Sequence, residues 1–141
     1  MKANENGTLE MLSEEWEEDP KNLVCEGCKS EITCHNCADC KIKNCNLEKE
    51  YEHCGQCPEF PCQIIRSFDE DKHAHHTGVL GNLETLKDTP VETWLEAKLK
   101  RWQCGRCGAR FSWYDEICPY CGEELYNSKK EDRDIKNAYR D

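Results

Sequence analysis

Three phenylalanines and two methionines among 141 residues leave little with which to fill a hydrophobic core. No stretch approaches the ~18 consecutive apolar residues that a membrane-spanning helix needs, so no membrane association is expected. The opening "MKANENGTLEMLSEEWEEDP" has no apolar h-region and no small-residue cleavage site. It does not read as a secretory signal, and the expected location is the cytoplasm. Positive charge is also short: 19 Lys and Arg stand against 29 Asp and Glu, a formal net charge of −10. Nucleic-acid affinity rests largely on neutralising phosphates, so an acidic chain is a poor generic binder of DNA or RNA. Glycine-rich phosphate loops, HExxH and GxSxG are all absent, and the expectation leans away from an enzyme.

What the chain has in abundance is cysteine, at 13 residues. A chain so poor in large apolar side chains needs crosslinks to offset the entropy of ordering itself. In a reducing cytosol, clustered cysteines serve more often as metal ligands than as disulfides. The odd count would also strand one thiol in a purely disulfide scheme.

The C-terminal cysteines give the clearest pattern. Cys104-x2-Cys107 and Cys118-x2-Cys121 are two CxxC pairs separated by ten residues. Zinc takes four thiolates as a tetrahedron, and a CxxC turn offers two of them from one tight loop. Gly108 and Gly122 directly follow the second cysteine of each pair, where the backbone must turn beneath the metal. The alternation in "ARFSWY", with Phe111 and Trp113 on one side, predicts a hairpin strand, so residues 103–125 are expected to form a zinc-ribbon β-hairpin. Four protein ligands close the coordination sphere, which implies a structural ion. A rubredoxin-like iron site would use the same spacing.

Nine cysteines make up the first block: Cys25, Cys28, Cys34, Cys37, Cys40, Cys45, Cys54, Cys57 and Cys62. The run Cys34-x2-Cys37-x2-Cys40-x4-Cys45 is close to a bacterial four-iron ferredoxin pattern. Its last gap is one residue too long, however, and Asn46 stands where that pattern has proline. Iron–sulfur is therefore the alternative reading. The zinc reading uses three knuckles, Cys25/Cys28, Cys37/Cys40 and Cys54/Cys57, with Cys45 and Cys62 as single ligands. Sequential pairing joins Cys25, Cys28, Cys37 and Cys40 in one site and Cys45, Cys54, Cys57 and Cys62 in another. A crossed pairing of Cys25/Cys28 with Cys54/Cys57 fits the spacing too. Cys34 is then surplus, although it competes with Cys40 because each lies three residues from Cys37. His35 and His53 are substitute ligands or exposed loop histidines. With four ligands per site, thirteen cysteines supply about three zinc ions and leave one thiol over.

The segments "CEGCKSE", "CADCKIKNCNLEKEYEHCGQCPEFPC" and "HHTGVLGNLETLKDTPVETWL", with a C-terminal "RWQCGRCGARFSWYDEICPYCG", resemble the prokaryotic cysteine-rich family called domain of unknown function 3795. The resemblance covers roughly residues 23–122. It implies metal binding and a small cysteine-rich fold, and it supplies no reaction. Members commonly open with a further cysteine-containing segment, whereas the first twenty residues here hold none.

The chain divides, as read, into an acidic leader (1–22), a cysteine-rich metal module (23–68), a helical segment (69–102), the ribbon (103–125) and a charged, disordered tail (126–141). The fold class expected is a small metal-stabilised α+β protein. In the leader, Leu9, Leu12 and Trp16 fall at helical spacing, consistent with a short amphipathic helix or a solvated end. Helices are predicted near 46–53 and 61–68, and Val79, Leu80, Leu83 and Leu86 share one helical face. Thr89 is the candidate N-cap and Pro90 the first residue of a helix whose apolar face carries Val91, Trp94, Leu95, Leu99 and Trp102. That face is expected to be core. The histidines of "HAHH", His73, His75 and His76, read as a hydrated helix start, with adventitious metal binding as the alternative.

Lys98, Lys100, Arg101, Arg106 and Arg110, with Trp102, Phe111 and Trp113 as stacking surfaces, make nucleic-acid binding the competing function. Asp115, Glu116, Glu123 and Glu124 flank the same module and repel phosphate. The function expected is a cytoplasmic zinc-binding scaffold or adaptor with a protein partner. Iron–sulfur electron transfer and an accessory role with nucleic acid are the alternatives.

Overall fold

Helices carry the fold, and the described residues contain no strand. The computed structural model describes residues 8–138. They fall into two compact units, Met1–Glu52 and His53–Asp141. The expected α+β class is therefore corrected to a small helix-rich one. In place of a ribbon hairpin there are two isolated antiparallel bridges, Gln103 with Arg110 and Ile117 with Glu124. The alternation in "ARFSWY" does not extend into a ladder. Instead, Asp115 folds back to accept the N–H of Ser112 at 2.7 Å, which turns the chain where a strand would have to continue.

In the first unit, α1 (Thr8–Trp16) packs on the single turn α2 (Pro20–Leu23). Leu9 and Leu23 are buried, while Trp16 is largely exposed. The junction has a local cause. Glu17 adopts a left-handed φ of 52°, and Ser13 Oγ donates to the Glu18 carbonyl at 2.6 Å. Asp19 caps α2 by accepting the Lys21 N–H at 2.9 Å, and Pro20 fills the first helical position, where a missing N–H costs nothing. The cysteine loop follows, and then α3 (Lys41–Glu48), which buries none of its residues.

In the second unit, a 3-10 turn at Cys54–Gln56 rests on α5 (Val79–Asp88), and so does α4 (Gln63–Asp69). Ile65 is 1% exposed and Leu83 is buried. Gly55 lies so close that an added Cβ would stand 2.7 Å from the Leu83 carbonyl. Asp69 accepts the Leu80 N–H at 3.2 Å, which satisfies a free donor in the first turn of α5. Helix α6 runs from Val91 to Arg101. Its start is shifted by one residue from expectation: Thr89 closes α5 and Pro90 is the N-cap.

The stripe on α6 expected to be core is largely open, with Leu95 and Leu99 each 48% exposed. Trp102 meets Phe111 edge-on at 5.4 Å.

Residues 126–141, expected to be disordered, instead include α7 (Ser128–Ala138). Asn127 and Ser128 at its start are 1% exposed. The side chain of Asn127 caps the helix by accepting the Lys130 N–H at 3.2 Å. Arg101 donates to the Tyr126 carbonyl at 2.8 Å and to Glu131 at 3.2 Å. No helix among the described residues is long and apolar enough to cross a membrane.

Candidate metal centre

Two CxxC-Gly knuckles build the C-terminal centre from the same set of backbone bonds. In the first, the Gly108 N–H donates to the Cys104 carbonyl at 2.8 Å and the Cys104 N–H to the Ala109 carbonyl at 2.8 Å. In the second, Gly122 donates to Cys118 at 2.9 Å and Cys118 to Glu123 at 2.8 Å. Both glycines sit at φ 73°, the left-handed region that a side chain strains. The isolated bridges, 103 with 110 and 117 with 124, occupy equivalent places on either side of each knuckle.

The knuckles face each other. Cys104 Sγ lies 3.6 Å from Cys121 Sγ, and Cys107 Sγ lies 3.7 Å from Cys118 Sγ. All four sulfurs fall within 4.8 Å of one another. A tetrahedral ion bonded to sulfur at about 2.3 Å has sulfur–sulfur edges of about 3.8 Å, so the thiols present fit a four-thiolate ion. Cys104, Cys118 and Leu125 are each 2% exposed and form the small core here, with Ala109, Phe111 and Cys121 packed against them.

The electrostatics point the same way. Backbone N–H groups of Cys107 and Arg106 aimed at Cys104 pull its thiol down to about 7. At Cys121 the N–H of Glu123 acts in the same direction, but burial and the three neighbouring thiols outweigh it and push this thiol up to about 12. Without a cation the cluster thus favours a thiolate at Cys104 and disfavours one at Cys121, where burial and hydrogen bonds with the neighbouring thiols favour the neutral form.

None of the first-block thiols joins a group of three or more ligand atoms within 4.8 Å among the described residues. Three of them nevertheless meet pairwise through Cys34 in the first unit, and Cys28 lies near enough for its charge to act on Cys37. Cys34 Sγ lies 3.4 Å from Cys37 Sγ. Cys25 accepts the N–H of Cys34 and then that of Gly27, and these bonds hold its thiol below the ordinary value. Cys37 is pushed up to about 11 by its bond with Cys34, by burial and by the charges of Cys34, Cys28 and Cys25. The connecting loop is closed by Glu26 N–H to the Ile32 carbonyl at 2.8 Å and Ser30 N–H to the Gly27 carbonyl at 3.0 Å. The thiol that spacing left over, Cys34, is thus the one placed beside Cys37. Cys40 stands at the N-cap position of α3, with no side-chain bond to the helix.

The division between the units falls between Cys45 and Cys54. In the second unit, the Cys57 N–H donates to the Cys54 carbonyl at 3.0 Å, and Cys62 precedes α4 as its N-cap. Of the substitute ligands, His35 Nε2 lies 3.6 Å from Glu18. His53 buries an Nδ1 that has no hydrogen-bond partner among the described residues.

Two of the basic residues near the centre are engaged within the chain. Arg101 is held by Tyr126 and Glu131, and Arg106 lies 3.7 Å from Glu123. Burial pushes the Lys98 ammonium down, and its Nζ lies 5.6 Å from the centre of the Trp94 ring. Trp113 stacks on His75 at 4.2 Å, and Trp102 packs on Phe111. Beside them a groove of about 240 Å³ is lined by Leu95, Lys98, Leu99, Trp102, Arg110 and Phe111.

Compared with known families, residues 1–67 match the one described as "Protein of unknown function (DUF3795)". The resemblance is thus shown for the N-terminal part of the chain. The match begins upstream of the first cysteine and stops short of the C-terminal knuckles. No curated protein and no solved structure matches.

Proposed function

We propose that this chain is a zinc-carrying scaffold or adaptor of the cytoplasm whose ions are structural and whose partner is a protein. The observation that carries the reading is the C-terminal set, Cys104, Cys107, Cys118 and Cys121. Its sulfur separations of 3.6 and 3.7 Å match a tetrahedral edge, and its four protein ligands leave no position for water or substrate. An ion held in this way supplies cohesion where the core is only a few residues deep, a role in which structural zinc contributes on the order of 10 kcal/mol to small modules.

For the first block we assign Cys25, Cys28, Cys34 and Cys37 to a second thiolate site, because Cys34 bonds to both Cys25 and Cys37. Cys54, Cys57 and Cys62 supply thiols to a third. Cys40 and Cys45 remain as the other first-block thiols.

A protein partner is favoured over nucleic acid because Arg101 and Arg106 are paired with carboxylates, whereas Leu95 and Leu99 stand open on α6. Exposed apolar side chains lining one groove are a usual mark of protein contact.

Metal analysis of protein purified without added zinc tests the central claim. The expected result is about three zinc ions per chain, with about one lost in Cys34→Ser and none in Cys40→Ser. Brown colour with acid-labile sulfide would replace this reading by iron–sulfur electron transfer. Titration with DNA and RNA at physiological salt is expected to show no tight binding. Sub-micromolar affinity lost in an Arg106→Ala/Arg110→Ala variant would make the chain a nucleic-acid binder instead.

A further inference from the structure

The loop between α4 and α5 gathers a set of ligand-type side chains that owes nothing to the cysteines. Asp71, His73 and His76 each bring one nitrogen or oxygen to within 4.8 Å of the other two. His76 Nδ1 lies 2.7 Å from Asp71 Oδ2, and His73 Nδ1 lies 3.2 Å from each Asp71 oxygen. The His73 N–H also donates to Asp71 Oδ1 at 2.7 Å, which folds residues 71–73 so that both rings reach the same carboxylate. The His76 ring is fixed from behind, stacked on Phe68 with centroids 3.7 Å apart. It is the more sheltered of the two imidazoles, while His73 faces solvent. His75 between them is engaged elsewhere. Its Nδ1 is 2.7 Å from the Tyr114 hydroxyl, and its ring lies flat on Trp113.

Two imidazoles and one carboxylate converging on a point form the donor set of open divalent-metal sites, and a three-residue set leaves room for water or another ligand. The spacing fits as well. Neighbouring ligands around an ion bonded at about 2.0–2.1 Å are about 2.9–3.4 Å apart, close to the separations found here.

We infer that Asp71, His73 and His76 form a metal site distinct from the thiolate sites, one that takes a divalent transition-metal ion of the zinc class and leaves part of its coordination sphere to solvent. In the metal-free loop a proton bridges each ring to the carboxylate. On binding, each neutral ring carries its proton on Nε2, and the freed Nδ1 lone pairs and an Asp71 oxygen bond the ion. An ion held by three side chains of a single surface loop exchanges with the free pool, whereas a closed four-thiolate ion is retained.

The test uses the full chain, already loaded with zinc at its thiols and freed of excess metal. Zinc chloride is titrated in while the imidazole resonances are followed by NMR. About one further equivalent should saturate the shifts of His73 and His76 and leave those of His35 and His53 unmoved. Loss of an outer-shell partner weakens metal sites about 10–100-fold, so removal of a ligand in His73→Ala or Asp71→Asn should weaken binding at least that much. His35→Ala should not. The tightly held zinc, counted in the same samples, should be equal in every variant, which separates loss of the site from loss of the fold. Shifts that grow without saturating would overturn the proposal, leaving a hydrogen-bonded turn in its place. So would an unchanged affinity in His73→Ala with its thiol zinc intact.

Discussion

Gly108 and Gly122 hold the same place in their respective knuckles, and both need the left-handed backbone that lets an N–H reach the carbonyl of the first cysteine. A side chain there costs about 1–2 kcal/mol through its Cβ. Gly105, inside the first knuckle, has no left-handed φ and open space around it. Gly108→Ala is therefore expected to lower stability by about 1–2 kcal/mol and Gly105→Ala by less than half of that, as read from thermal unfolding of the zinc-loaded protein. Equal effects would show that the φ at Gly108 is not what the knuckle requires.

At this scale the C-terminal group was legible because its rule is local: cysteine, two residues, cysteine, glycine, repeated once. Cys34 was not. Its approach to Cys25 depends on how the loop from Glu26 to Ile32 closes, and spacing records the length of a loop and not its path. Asp71 was missed beside the conspicuous histidines, although an aspartate two residues before a histidine is a recurrent turn former and was the available signal.

Among the elements, helices α5 and α6 were readable from their apolar spacing, although only α5 buries a residue of its apolar face, Leu83, while the same period on α6 stays largely open. Helix α7 was not, because its attachment is polar. Its residues alternate in charge and show no apolar stripe, so the sequence resembles a solvated tail. Side chains well upstream supply what holds it: Arg101 to Glu131, Glu116 to Lys129 at 3.0 Å, Glu124 to Lys130, and Thr77 to Asp132. The legible signals were Asn127 as a cap and the Asp132–Lys136 pair one turn apart.

A helix tethered in this way should loosen with salt, since exposed ion pairs are screened. Arg101 also packs over Trp102 and Tyr126, so Arg101→Ala should cost about 1 kcal/mol locally. Amide exchange over residues 128–138 is expected to quicken several-fold in this variant and in high salt, with the Cys104 and Cys118 amides unchanged. Equal quickening at those cysteines would mean that α7 and the thiol cluster open together.

Across the whole molecule, the fold divides at a place the sequence did not suggest. A single cysteine block from 23 to 68 was expected, yet the first unit ends at Glu52 and the second begins at His53. Cysteine composition is uniform across that point. What separates the halves is apolar burial, and little of it is needed: Ile65 and Leu83 in one place, Leu9 and Leu23 in another.

The match to the uncharacterised family ends at residue 67, well inside the second unit. A polypeptide cut after that residue keeps α3 but loses α5, so Gly55 and Ile65 face water. Such a 1–67 fragment is expected to bind hydrophobic dyes and to associate, whereas a 53–141 fragment should give dispersed amide signals. Well-dispersed signals from residues 54–65 in a monomeric 1–67 fragment would contradict this. Recombination that moved the family segment into another chain would need to carry Leu83 and its helix along, because the turn at Cys54–Gln56 finds its seat beyond the point where the likeness stops.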